Sequence, residues 1–296
     1  EISTGSVSIK NSRVSNFKQT AVYTTDTPTI TVTNSTFERG SAQTATVFAV
    51  SNCKTFNISN STFSHNSAVG EAGVLQVLVS TSWRSNSTLS ISDCIFINNS
   101  ASASTALLSD AKIVTITNST FNDNIATQGN AGAIELKCEA SSPCSFGVTH
   151  SKFMNNSAAL NGGSIYWTKK EPLMINLTFD GNSAKYGSNI ASFGIALISL
   201  DFEENEVETS YVSKTVDNTY LNIGSGQRLP MPISIALVDK YGQTITTDSS
   251  SISTITPEDT AAVTITGESR VQAISGVYYF SSVKFSATPD SIITLK

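Results

Sequence analysis

The chain has 296 residues, enough for one or two domains with a sizeable core. Hydrophobic residues make up 39% and charged residues only 14%, with Ser, Thr and Asn filling the difference, which suits β-structure with neutral polar surfaces better than solvated helices. The net charge of −5 argues against a nucleic-acid partner, and no apolar run reaches the roughly 20 residues that span a bilayer, so no membrane contact is expected within this segment.

The first two-thirds of the chain repeat. The copies read NSTFERG at 34–40, NSTFSHNSA at 60–68, DCIFINNSA at 93–101, NSTFNDNIA at 118–126, HSKFMNNSA at 150–158 and NLTFDGNSA at 176–184. Their anchors, Phe37, Phe63, Phe96, Phe121, Phe153 and Phe179, are spaced 26, 33, 25, 32 and 26 residues apart. Degenerate copies put Val14 23 residues before the first anchor and Phe202 23 after the last. A period near 25 with short β-rich segments is that of one coil of a solenoid. TLSISDCIF at 88–96 and VTITNSTF at 114–121 alternate polar and apolar residues, the signature of strands rather than helices. The expected fold over residues 1–205 is therefore a parallel β-helix, with coils about 4.8 Å apart and each Phe stacked on the next.

Three residues after each anchor stands an amide: Asn66, Asn99, Asn124, Asn156, Asn182 and Asn205, with Gly40 in the first strong copy. Asn and Gly both tolerate the left-handed backbone of a tight turn, so a turn is expected there, and stacked Asn amides can bond from coil to coil. A second element follows each anchor: EAGVLQV at 71–77, STALLSD at 104–110, NAGAIEL at 130–136, NGGSIYW at 161–167 and GSNIASF at 187–193. Its small residues fit a close-packed corner and its apolar residues the next strand. The two long spacings carry insertions near 80–88, with Trp83 and Asn86, and near 137–146, with Cys138 and Cys144. Loops on a rigid scaffold are where binding usually resides, and no ligand for these two follows from the sequence.

The paired Phe-x-x-Asn and Gly-Gly-Ala-Ile-like motifs, strongest at Phe121 to Asn124 with Gly132 to Ile134 and at Phe153 to Asn156 with Gly162 to Ile165, resemble the repeats of chlamydial polymorphic membrane proteins. More broadly they are similar to right-handed parallel β-helices of the pectate-lyase-like class, which implies a right-handed coil over about residues 5–205. Residues 206–217 read as a polar linker or first strand. The remainder, to 296, resembles the immunoglobulin-like β-sandwich of surface proteins, with a strand before a turn at Asp239 to Gly242 and a last strand at Ile292 to Leu295.

The pectate-lyase-like class includes lyases and hydrolases, which need clustered carboxylates or calcium-binding aspartates. Here Asp26, Asp93, Asp110, Asp123, Asp180 and Asp201 share no repeat position, and the histidines are only His65 and His150, the latter read as an outward turn residue. The expectation is not an enzyme, with no catalytic residue, metal or cofactor. Four cysteines occur with no CxxC; Cys138 and Cys144 are expected to pair locally, and Cys53 and Cys94 are a candidate pair across adjacent coils, which would fit an oxidising compartment.

N-x-Ser/Thr sequons lie at Asn34, Asn57, Asn60, Asn86, Asn98, Asn118, Asn155 and Asn176. Four sit three before the anchor; Asn98 and Asn155 sit two after it, in the copies with Asp93 or His150 at the first place. The expectation is a stripe of N-linked glycans along one corner. With no Met at position 1 and no signal-peptide pattern, the chain reads as a mature or excised part of a longer one. The function expected is an extracellular structural protein, a subunit of a fibril, coat or matrix that contacts itself or neighbouring domains end to end. An adhesin for a host or matrix ligand and a polysaccharide lyase or hydrolase are the alternatives.

Overall fold

A computed structural model describes residues 2–3, 5–80, 82, 87–138, 143–200, 224–228, 232–288 and 293. Trp83, Asn86, Asp201, Phe202, Asn205, the segment 206–217 and the strand expected at Ile292 to Leu295 lie outside them. The described elements are all strands, and the chain divides into two compact units, Glu1–Ser192 and Phe193–Lys296.

Unit 1 is a solenoid-like stack of parallel sheets, of thirteen, seven and five strands. Its register follows the sequence repeat. In the seven-stranded sheet, Val14 pairs with Phe37, Phe37 with Phe63, Phe63 with Phe96, Phe96 with Phe121, Phe121 with Phe153 and Phe153 with Phe179. The strands Thr88–Ser92, Ile113–Thr117 and Ser145–Thr149 lie side by side with alternating burial, so Leu89, Ile91, Val114, Ile116, Phe146 and Val148 point inward and the hydroxyl residues outward. Alternation of this kind fixes register, because a slip by one residue would turn the whole apolar set to solvent.

Phe37, Phe63, Phe96, Phe121 and Phe153 are all fully buried. Their rings are stacked at centroid distances of 5.5, 4.7, 4.8 and 4.9 Å, with 5.3 Å from Phe153 to Phe179. The strand spacing sets this distance, and each buried ring contributes about 1.5–3 kcal/mol. The small residues at the corner have a steric cause. A Cβ on Gly132 would lie 2.1 Å from the Gly163 carbonyl oxygen, and one on Gly163 2.0 Å from that of Ser188. Two long strands, Val22–Thr33 and Phe48–Ser59, bend midway at the left-handed residues Asp26 and Asn52, where the Asn52 amide donates to Asp26 at 2.8 Å.

In the first copy Phe17 stands at the ladder position. Its ring fills the space beside Gly40, where a Cβ would meet it at 2.1 Å. That explains Gly40 as a packing requirement rather than a turn residue. The turn expected three residues after each anchor is not there: the left-handed residues are one place earlier. Asn66, Asn99, Asn124 and Asn156 instead point inward, at 0–1% exposure.

Unit 2 is built of antiparallel pairs. Ile233–Val238 lies between Ala196–Ser199 and Val277–Phe280; Ile252–Thr254 pairs with Arg270–Gln272 and Val263–Thr266 with Lys284–Ala287. Ala196–Ser199, which the repeat pattern counted with the coils, thus pairs within unit 2. The core gathers Ile255, Val271, Ala273, Tyr278, Phe280 and Val283. The turn at Asp239 to Gly242 is held by the Asp239 carboxylate, which accepts from the Tyr241 and Gln243 amides at 2.9 and 3.0 Å, with Gly242 at φ 72°.

Candidate functional site

Each coil of unit 1 has two left-handed corner residues that flank the narrow seven-stranded sheet. Three before the anchor these are Asn11, Asn34, Asn60, Asp93, Asn118, His150 and Asn176, with φ between 47° and 54°. Two after it they are Asn16, Arg39, His65, Asn98, Asp123, Asn155 and Gly181, with φ between 51° and 61°. Asn, Asp and Gly are favoured there because a short polar side chain, or none, relieves the clash with the next carbonyl. Six of the sequon asparagines, Asn34, Asn60, Asn98, Asn118, Asn155 and Asn176, occupy these two rows. Asn57 lies instead on the outward face of the strand Phe48–Ser59. All seven are exposed.

Within the first row three asparagine amides lean on the preceding coil. Asn34 donates to Asn11 at 3.3 Å, Asn118 to Asp93 at 3.4 Å, and the Asn176 amide lies 3.1 Å from His150 Nε2. His65 in the second row lies 3.4 Å from the Asn98 amide. Both histidines are therefore exposed corner residues. Beside this row Arg13 reaches Glu38 at 3.0 Å through Nε, and that hydrogen bond holds the Glu38 carboxyl below its ordinary value.

Behind the corner runs the amide ladder. Asn66 Nδ2 donates to Asn99 Oδ1 at 3.1 Å, Asn99 to Asn124 at 2.9 Å, Asn124 to Asn156 at 2.9 Å and Asn156 to Asn182 at 3.1 Å. The same nitrogens also donate to the carbonyls of Phe37, Phe63, Phe96 and Phe121, all at 3.0–3.1 Å. The amides of Asn66, Asn99, Asn124 and Asn156 are all spent on neighbouring coils, and that of Asn182 on the Phe153 carbonyl and Asn189, so the described row is structural.

Comparison with protein-family models, with curated proteins and with solved structures found no match for this chain.

Asp26, Asp93, Asp110, Asp123 and Asp180 are spread over different columns. Asp26 accepts from Asn52, Asp93 and Asp123 hold corners, and Asp110 accepts from the Val79 amide at 2.7 Å. Among the described residues no group of three or more His, Cys, Asp or Glu side chains could hold a metal ion. The sequence reading missed Glu135, a carboxylate only 5% exposed. It accepts from the Ser104 hydroxyl and pairs with Lys137 at 3.3 Å, and burial together with its charge raises the Tyr166 hydroxyl pKa. Its place in the strand carried no signal, since the equivalent residues are Gln76, Leu108 and Tyr166.

Cys138 and Cys144 are joined, with Cα atoms 6.0 Å apart, closing the second insertion. Cys53 and Cys94 are not: both are buried free thiols. They stand in different columns, Cys53 opposite Thr27 and Cys94 in the serine column with Ser61 and Ser119, so no coil-to-coil pair can form. Burial pushes both thiols up to about 11. They are expected to resist alkylation at pH 8 in the native state and to react on unfolding. Because the folded pKa is raised, the stability they contribute is full below the ordinary thiol value of about 8.5 and is lost as pH rises toward about 11. Labelling with iodoacetamide with and without denaturant, followed by mass spectrometry, checks this; rapid native labelling would contradict it.

Proposed function

We propose that unit 1 is a right-handed parallel β-helix, that unit 2 is an immunoglobulin-like β-sandwich, and that the chain is a glycosylated extracellular structural protein of a fibril, coat or matrix. The observation that carries this reading is the unbroken column register from Val14 to Phe179, with stacked rings and amides filling the inside. Right-handedness follows the general rule for parallel crossovers. Such an interior supports stiffness, and the outward rows of neutral hydroxyl and amide side chains support a role in water rather than at a charged ligand. The Cys138–Cys144 disulfide favours an oxidising compartment.

End-to-end contact is favoured by the last coil. Among the described residues Leu173–Ile175 and Thr178–Asp180 are terminal strands of their sheets, and Leu173 and Ile175 are 62% and 43% exposed. An open strand edge is a template for another strand. The scattered carboxylates speak against a glycosidase or lyase, which would need two or more on one face. Seven coils stacked at about 4.8 Å make a rod of roughly 34 Å for unit 1. Electron microscopy of the native material tests the proposal. Filaments or an ordered layer are expected; a monodisperse monomer would end the assembly reading, and release of sugar products from polysaccharides would replace it with an enzyme.

A further inference from the structure

We infer that the N-glycan acceptors are four asparagines of the first corner row, Asn34, Asn60, Asn118 and Asn176, and that Asn57, Asn98 and Asn155 are sequons only by the crossing of structural columns. The inference rests on the glycoprotein reading above and narrows it. A sequon needs an Asn and, two residues on, a hydroxyl. The left-handed corner explains the Asn at both rows. What distinguishes the rows is whether the fold also explains the hydroxyl.

In the second row it does. The column four after the anchor reads Lys18, Ser41, Ser67, Ser100, Ile125, Ser157 and Ser183. Serine stands there beside Arg39, His65 and Gly181 as readily as beside Asn98 and Asn155. These serines bond from coil to coil, Ser100 to Ser67 and Ser183 to Ser157, each at 3.1 Å. The middle residues, Asn99 and Asn156, belong to the buried ladder. Asn57 is similar, because its Ser59 stands in a column with Thr33, Ser92, Thr117 and Thr149, hydroxyl residues in each of these coils.

In the first row the fold does not explain it. The column one before the anchor reads Arg13, Thr36, Thr62, Ile95, Thr120, Lys152 and Thr178. Threonine occurs in the four coils with Asn34, Asn60, Asn118 and Asn176, and is absent beside Asp93 and His150. Asn11 is the one corner Asn of this row without it, and there Arg13 pairs with Glu38. None of the four threonine hydroxyls has a hydrogen-bond partner. The Ile95 and Lys152 coils show that the strand accepts other residues at this place. A hydroxyl that follows the Asn, faces outward and holds nothing in the fold is one kept for an external recognition step. That step is glycosyl transfer from a lipid-linked diphospho-oligosaccharide. The bond from sugar C1 to the phosphate oxygen breaks and a bond from C1 to Asn Nδ2 forms. The amide loses one proton, and the lipid diphosphate leaves with the bonding pair. The remaining amide hydrogen can still reach the preceding coil.

Site-resolved mass spectrometry of the chain from its native source tests this. Occupancy is expected at Asn34, Asn60, Asn118 and Asn176, with Asn57, Asn98 and Asn155 bare. Equal occupancy at Asn98 or Asn155 would overturn the selection while leaving the glycoprotein reading intact; all eight sequons bare, Asn86 included, would overturn both. In a eukaryotic secretory host, Thr62→Ile should abolish modification at Asn60 without moving the melting temperature, since Ile95 already fills the equivalent place. The double change Asp93→Asn and Ile95→Thr should create an occupied site in a coil that has none in this row. Failure of that gain, with the chain folded, would count against the corner as an acceptor.

Discussion

Asn124→Ala should lower the stability of unit 1 by about 3–5 kcal/mol, more than a surface asparagine could. Its side chain is fully buried and holds two coils at once. The Nδ2 donates to Asn156 Oδ1 at 2.9 Å and to the Phe96 carbonyl at 3.0 Å; its Oδ1 accepts from the Asn99 side chain at 2.9 Å and the Asn99 backbone at 3.3 Å. Truncation takes the side-chain donor from the Phe96 carbonyl and the acceptor from the Asn99 backbone N–H and from one hydrogen of the Asn99 Nδ2, whose other hydrogen keeps the Phe63 carbonyl, where water has little access, at about 1–3 kcal/mol for each group left unpaired. Asn124→Asp should be worse at neutral pH. It would set a carboxylate oxygen against Asn156 Oδ1 and the Phe96 carbonyl, two acceptors, so part of its loss should be recovered in acid. Both tryptophans, Trp83 and Trp167, lie in unit 1, so tryptophan fluorescence in denaturant reads this unit apart from unit 2. A midpoint unchanged by Asn124→Ala would mean that the ladder does not hold the coils together.

That ladder was legible as a row of equal residues before its role was. Identity at one repeat position announces a column, and the Phe column needed nothing more, because a large apolar residue in a strand can only stack inward. An asparagine has two uses, a left-handed corner or a buried amide, and spacing alone does not separate them. The corner lies one residue earlier, where Asn16, Arg39, His65, Asn98, Asp123, Asn155 and Gly181 differ so much that no repeat was visible. Arg39 and His65 show that the backbone geometry is imposed by the flanking strands and does not depend on a favourable residue in every coil. The pairing of Cys53 with Cys94 went wrong for a related reason. A coil-to-coil disulfide needs the same column, and Cys53, ten before Phe63, and Cys94, two before Phe96, stand at different offsets from their anchors. The Thr that accompanies Asn34, Asn60, Asn118 and Asn176 was written in the sequence throughout. It acquired meaning only once the serine rows proved to be bonded and the threonine row did not.

Phe121→Ala should destabilise unit 1 by about 3–5 kcal/mol, and Phe179→Ala by clearly less. Phe121 is fully buried between Phe96 at 4.8 Å and Phe153 at 4.9 Å, with rings within 5° of parallel. Among the described residues Phe179 stacks on Phe153 alone, and it is only partly buried. Removing a central ring loses its own transfer free energy and the contact of both neighbours. The cavity cannot close easily, because the coil spacing is fixed by strand hydrogen bonds on every face. In a one-dimensional stack, stability is nearly a sum of coil terms and nearest-neighbour terms, so a central loss weakens two interfaces and a terminal loss one. Phe121→Leu should recover much of the difference, since it restores most of the volume without the ring. Denaturant midpoints for Phe63→Ala, Phe121→Ala and Phe179→Ala, read by tryptophan fluorescence, give the comparison. A central coil that tolerates the change as well as the last one would show that the ring column is packing filler rather than the axis of the repeat.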